Sequence, residues 1–205
     1  MALPTFTTKQ LSVLFNSENY KKIYLYRLKK RGVIRKLIDS VYTCHEDPMI
    51  YATHIFYPSY ISLWSAFQYY GTTTQLPLKV QVIGPKNFNI ESVEMISSSN
   101  IWGYKKIKYR NFEVFMADLE KAIIDSIISG KVPLEELNTA IIKTNKAKMQ
   151  EYALRVNNNT AKIVGYLYEI NGIEMNDLYY KIKNDRNYVK IPFKVYKNRW
   201  RVKGD

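Results

Sequence analysis

The chain has 205 residues, 46% of them hydrophobic and 14% aromatic, with a formal charge of +13 and a pI near 9.6. That is enough apolar material for real cores, which excludes a disordered tail, and room for one ordinary domain or a small module ahead of a larger one. The single cysteine, Cys44, excludes an internal disulfide, and the surplus of cations makes a phosphate polymer or an anionic membrane the partner to expect.

In chain order, Met1-Ala2-Leu3-Pro4-Thr5 lacks the basic start and apolar run of a signal peptide. Thr7 is a good N-cap for a helix over Thr8–Phe15, with Leu11, Leu14 and Phe15 on one face. Asn16-Ser17 has turn chemistry, and a second helix is predicted from Glu18 to Arg31, stopped by Gly32 as the C′ residue. Residues 33–37 and 41–43 read as two strands around the turn Ile38-Asp39-Ser40. Asp47 caps a helix over Pro48–Phe56, with Pro48 at N1, and Ser59–Tyr70 reads as another, closed by Gly71.

No Asp, Glu, Lys or Arg occurs from Pro48 to Leu78, yet Pro58 and scattered hydroxyls leave no clean span of ~20 apolar residues. Strands are predicted at 78–84, 93–97, 104–110 and 112–116. Asp118 then caps a helix through Ile128, ended by Gly130. Helices over 133–143, 146–155, 160–170 and 176–183, and a strand or two across 189–202, complete the chain. The fold class to expect is α+β, a winged helix-turn-helix over residues 1–47 followed by a larger mixed α/β domain over 48–205.

Charge is segregated along this plan. Residues 1–47 carry 9 basic against 4 acidic groups, 48–130 carry 7 against 6, and 131–205 carry 15 against 8. Between Glu18 and Asp39 stand eight basic residues and no acid. At 3.6 residues per turn, Tyr24, Leu25 and Leu28 of the second helix fall on one side, to pack against Leu11, Leu14 and Ile34. The start and outer face of that helix carry Asn19, Tyr20, Lys22, Ile23, Tyr26, Arg27, Lys29 and Lys30, and the wing carries Arg35 and Lys36. Asn suits bidentate contact with adenine, while Lys, Arg and Tyr suit phosphates or base edges. These ten residues are the candidate contacts to double-stranded DNA, against the plainer reading of a solvated basic helix face. A second basic surface near the end comprises Lys190, Lys194, Lys197, Arg199 and Arg201, where Trp200 could stack on a base.

Catalytic chemistry is poorly supported. Asp118, Glu120 and Lys121 stand nearly consecutively at a helix start, where side chains are expected to diverge. Cys44-His45-Glu46-Asp47 holds ligand types that cannot all face one metal, and His54 is the only other histidine. No phosphate-cradling glycine loop occurs. The expectation is a non-enzyme without metal or cofactor, in the cytoplasm and off the membrane.

Three segments carry a family resemblance: Tyr57–Pro77 (Tyr-Pro-Ser-Tyr-Ile-Ser-Leu-Trp-Ser-Ala-Phe-Gln-Tyr-Tyr-Gly), Met116-Ala117-Asp118-Leu119-Glu120-Lys121-Ala122 with Asp125, and Lys197-Asn198-Arg199-Trp200-Arg201-Val202. In this order they resemble the AbiEi-type antitoxins, the regulatory halves of two-gene phage-defence (type IV toxin–antitoxin) modules. The resemblance implies a repressor that binds operator repeats in its own promoter through the N-terminal winged helix. It also implies a C-terminal α+β domain that counters a nucleotidyltransferase toxin without a stable complex. The residues by themselves leave a second reading open, an RNA- or protein-binding winged-helix adaptor without operator specificity.

Overall fold

The computed structural model of the chain describes residues 3–15, 17–192 and 194–204. Thr7 opens helix α1 (Thr8–Leu11) through a reciprocal capping box: its hydroxyl accepts from the Gln10 N–H, and the Gln10 side chain accepts from the Thr7 N–H. The helix ends after one turn, short of the expected Phe15. Ser12 bonds back to the Thr8 carbonyl, a local alternative to further helix, and Leu14 is left 73% exposed instead of packed.

Of the turn expected at Asn16-Ser17, Asn16 lies outside the described residues, and Ser17 is the N-cap of α2 (Glu18–Lys30). Gly32, at φ +71°, closes α2, with its own N–H and that of Val33 bonded to the Lys29 and Leu28 carbonyls. Strands β2 (Arg35–Ile38) and β3 (Val41–Thr43) follow around Asp39-Ser40, with Ser40 at φ +67°. A two-residue strand, β1 (Phe6–Thr7), pairs antiparallel with β3, so the small sheet has the order β1-β3-β2. Two residues are too few to show an alternation, and the sequence did not reveal this strand.

Asp47 caps α3 (Pro48–Tyr51) by accepting from the Met49 N–H at 3.0 Å, and the chain tightens into a 3-10 turn at Ala52–His54 before the expected end at Phe56. The helix expected over Ser59–Tyr70 is a strand and a shorter helix, β4 (Tyr60–Ile61) and α4 (Leu63–Tyr69). Tyr60 and Ile61 are fully buried mid-sheet, where pairing on both sides overrides a local pattern equally compatible with helix.

The large sheet also contains β5 (Val80–Gly84), β6 (Phe88–Asn89), β7 (Val93–Ser97), β8 (Tyr104–Tyr109) and β9 (Phe112–Ala117), in the order β6-β7-β5-β4-β9-β8. β4 runs antiparallel to β5 and parallel to β9, and β5 runs parallel to β7 in unbroken register from Val80↔Val93 to Gly84↔Ser97. All five residues of β5 are buried, as a central strand covered on both faces requires.

The rest is mainly helical: α5 (Leu119–Ser129), α6 (Leu134–Ile141), α7 (Lys146–Val156), α8 (Asn158–Ile170) and α9 (Asn176–Ile182). Strands β10 (Val189–Ile191) and β11 (Val202–Gly204) pair in parallel. Gly165 lies in the buried run of α8 with the Trp200 ring directly on it, so a Cβ there would fall 2.3 Å from Trp200 carbons. Gly165→Ala should therefore cost more than the usual ~1–3 kcal/mol of overpacking, because neither helix nor buried indole has room to retreat. A urea midpoint equal to that of the parent would refute this packing.

The fold is α+β, in two compact units. One comprises Met1–Ile61, Leu78–Ile101 and Lys106–Met116, the other Ser62–Pro77, Trp102–Lys105 and Ala117–Asp205. The chain does not divide at Asp47, where the sequence suggested a boundary. Asp47 itself accepts from the Tyr109 hydroxyl at 3.0 Å and pairs with Arg110 at 3.3 Å, and the His45 ring meets Phe112 edge-on at 4.6 Å. These contacts hold the N-terminal elements and the large sheet together as one unit. Among the described residues no helix is long and apolar enough to cross a membrane.

Candidate nucleic-acid interface

The buried stripe of α2 is narrow, Lys21 and Leu25 with Leu28 beside them, so most of the helix faces outward. Lys21 is a strut and not a solvated cation: its ammonium donates to the Ser12 hydroxyl and the Glu18 carboxylate, both at 2.6 Å, and ties the end of α1 to the start of α2. The same ammonium holds the Glu18 carboxyl below its ordinary range. Tyr24, expected in the core, is exposed, with the Phe15 and Tyr20 rings beside it instead of a buried layer.

Asn19, Tyr20, Lys22, Ile23, Tyr26, Arg27, Lys29, Lys30, Arg35 and Lys36 are all exposed. Among the described residues, no ion pair engages Lys22, Arg27, Lys29 or Lys30. Arg35 pairs with Glu46 at 3.2 Å and Lys36 with Asp39 at 2.6 Å. The Asp39 hydrogen bond raises the Lys36 pKa, and Lys36 lowers that of Asp39. Both pairs are solvent-exposed and weak in water, so either cation can be handed to a phosphate.

The two flanks of α2 differ in chemistry. On one, Lys22, Tyr26 and Lys29 face Lys36 and Tyr42 of the hairpin across a groove with a cavity volume of about 500 Å³. The hairpin sets this wall: a bulge between Lys36 and Ile38 keeps Arg35 and Lys36 outside while Leu37 is buried. The Thr8 N–H donates to the Ser40 carbonyl at 2.9 Å and fixes the turn against α1. On the other flank, Phe15 contacts Tyr20 and Tyr24 at ring centroids of 5.7 and 5.2 Å, beside the exposed Val13, Leu14 and Ile23.

In the second unit, Asp118 and Glu120 do not diverge as expected. Lys148 reaches both, at 2.9 and 3.5 Å, and the Tyr152 hydroxyl donates to Asp118. Burial alone would lower the Lys148 pKa, but the two carboxylates hold it above the ordinary value. Asp118 sits at the N-cap of α5 without a side-chain cap bond, its carboxylate turned to these partners. The distant Lys148 gives no local sequence signal of this convergence. Beneath lies a fully buried pair: Lys121 bonds Asp125, which also accepts from the Ser62 hydroxyl at 2.8 Å. Burial pushes the Lys121 pKa down, partly offset by Asp125.

Of the second basic surface, Lys190, Lys194 and Lys197 are exposed. Arg199 is held by Glu169 and Asn176, and Arg201 donates to the Arg186 carbonyl at 2.8 Å. Trp200 is only 1% exposed, so it cannot be the stacking platform that its basic neighbours suggested.

No family model matches the chain, and no curated protein does either. Among solved structures, the chain is similar to the crystal structure of the RV2827C protein from Mycobacterium tuberculosis, with a TM-score of 0.64 over 98% of this chain and 86% of that one. At 9% identity the likeness is one of fold alone.

Proposed function

We propose that the chain is a sequence-specific DNA-binding transcriptional repressor whose N-terminal elements act as a winged helix-turn-helix. The observation that carries the reading is the groove between α2 and the β2–β3 hairpin, walled by Lys22, Lys29 and Lys36 with Tyr26 and Tyr42. Such a groove fits the ridge of a phosphate backbone when a helix enters the major groove and a wing lies against the adjacent one. The sheet order β1-β3-β2, flanked by two helices meeting at the Lys21 strut, supports the winged-helix assignment. The resemblance to AbiEi-type antitoxins extends the proposal: operator repeats in the protein's own promoter, and a nucleotidyltransferase toxin countered without a stable complex.

Asn19 stands on the exposed first turn of α2, where base edges are read. Asn19→Ala should cost about 1–3 kcal/mol at one operator position and leave binding to random duplex unchanged. Footprinting on randomised operators checks this, and an unchanged sequence preference would remove Asn19 from the reading set.

A second reading, a winged helix serving as a protein adaptor, is favoured by the exposed Val13, Leu14 and Ile23 on the other flank of α2. The ratio of operator to random-duplex affinity separates the two: a repressor requires a ratio of roughly 10³ or more, and an adaptor shows none.

A further inference from the structure

The C-terminal part of the second unit carries a basic surface that lies outside the groove between α2 and the hairpin. Lys162, Lys183, Arg199, Arg201 and Trp200 line a small cleft together with Asp185. Its carboxylate is already taken: Asp185 pairs with the buried Lys162 at 3.1 Å and accepts from the Asn187 N–H at 3.0 Å. Glu169 is likewise taken by Arg199. Among the described residues no ion pair engages Lys183 or Arg201. Trp200 also lines the cleft, and its buried indole N–H has no acceptor among the described residues. The cleft is open to solvent and its volume is about 10 Å³, room for one water-sized group such as a phosphate oxygen.

Two exposed tyrosines flank this cleft. Lys183 lies 5.0 Å from the ring centroid of Tyr180, which is 64% exposed. On the other side Tyr188, 57% exposed, lies 3.7 Å below the Lys203 ammonium and 6.0 Å from the Arg201 guanidinium. The parallel register of β10 and β11 sets Lys190 directly beside Lys203 and extends the cationic strip. A merely solvated basic face needs neither two half-bare rings nor a cleft lined by two cations that no ion pair engages among the described residues.

We infer that this surface binds single-stranded RNA, with a backbone phosphate at the Lys183–Arg201 cleft and unpaired bases on Tyr188 and Tyr180. Cations beside sequence-tolerant aromatic platforms are the chemistry that holds single strands. In a duplex the base faces are already stacked on one another, whereas RNA ordinarily offers unpaired, splayed bases.

Fluorescence anisotropy of the full chain with a labelled 12-nucleotide oligo-U at low salt tests this. Saturable binding is expected, weakened about tenfold or more by Tyr188→Ala, as loss of one stacked base predicts, and restored by Tyr188→Phe. Lys183→Gln combined with Arg201→Gln should flatten the dependence of log affinity on log salt by about 0.7, the share of one neutralised phosphate. Lys29→Ala with Lys30→Ala should leave oligo-U binding intact, which keeps this surface distinct from the face on α2. The inference is overturned if folded Tyr188→Ala binds like the parent, if the α2 variant abolishes the binding, or if duplex RNA or oligo-dU binds as tightly as oligo-U.

Discussion

Asp125→Ala is expected to destabilise the second unit by about 3–5 kcal/mol, the cost of leaving a buried ammonium without its carboxylate. Lys121 and Asp125 have side chains 0% and 1% exposed, one helical turn apart on α5, and the Ser62 hydroxyl also donates to the carboxylate at 2.8 Å. Trp102 lies over the same ammonium at 4.7 Å, with Arg155 on the ring as well at 4.4 Å, so the site is packed as well as bonded. Burial already pushes the Lys121 pKa down. With Asp125 gone, the ammonium must shed its proton or draw in water, and either response loosens the helix layer. Because the liability is a buried charge deprived of its carboxylate, Lys121→Met combined with Asp125→Leu should recover most of the loss. Urea unfolding followed by circular dichroism reads both variants. An Asp125→Ala midpoint equal to the parent's would show that the pair does not hold this core. Lys121 and Asp125 thus have a structural explanation before any functional one.

Periodic helices were the most legible part of the fold. α5 to α9 lie where apolar spacing, Asp118, Gly130 and the following turns put them, to within a few residues. What the sequence concealed was tertiary in origin. Tyr60 and Ile61 sit in a segment whose spacing suits a helix, and only two-sided pairing makes them a strand. Phe6–Thr7 is too short for any period to show. Basic residues could be found by reading, but their employment could not: Lys21 is spent on Ser12 and Glu18, Arg199 on Glu169, and Trp200 lies beneath the surface it was expected to form. The boundary at Asp47 failed for a similar reason, since Tyr109, 62 positions further along the chain, and its neighbour Arg110 bind that carboxylate. Removing residues before Asp47 would strip contacts from the large sheet, so point variants are the sound way to separate the tasks of the two ends.

Lys29→Ala combined with Lys30→Ala is expected to weaken binding to operator and random duplex alike, by on the order of 50-fold near 0.1 M salt. Both side chains are exposed in the last turn of α2, and no ion pair engages either among the described residues, so neither substitution should disturb the fold. Lys29 walls the groove facing Lys36, while Lys30 points further round the helix, away from that groove. Each neutralised phosphate releases condensed counterions, giving a slope of about −0.9 per contact in log affinity against log salt, so the pair should flatten the slope by roughly 1.8. Sequence preference should survive, because phosphates carry no base identity and Asn19 remains in place. The measurement is an anisotropy titration of operator and random duplexes from 50 to 200 mM salt. Equal affinity and equal slope in the double variant would move the DNA face away from α2. A loss confined to the operator would make these lysines base readers instead of backbone clamps.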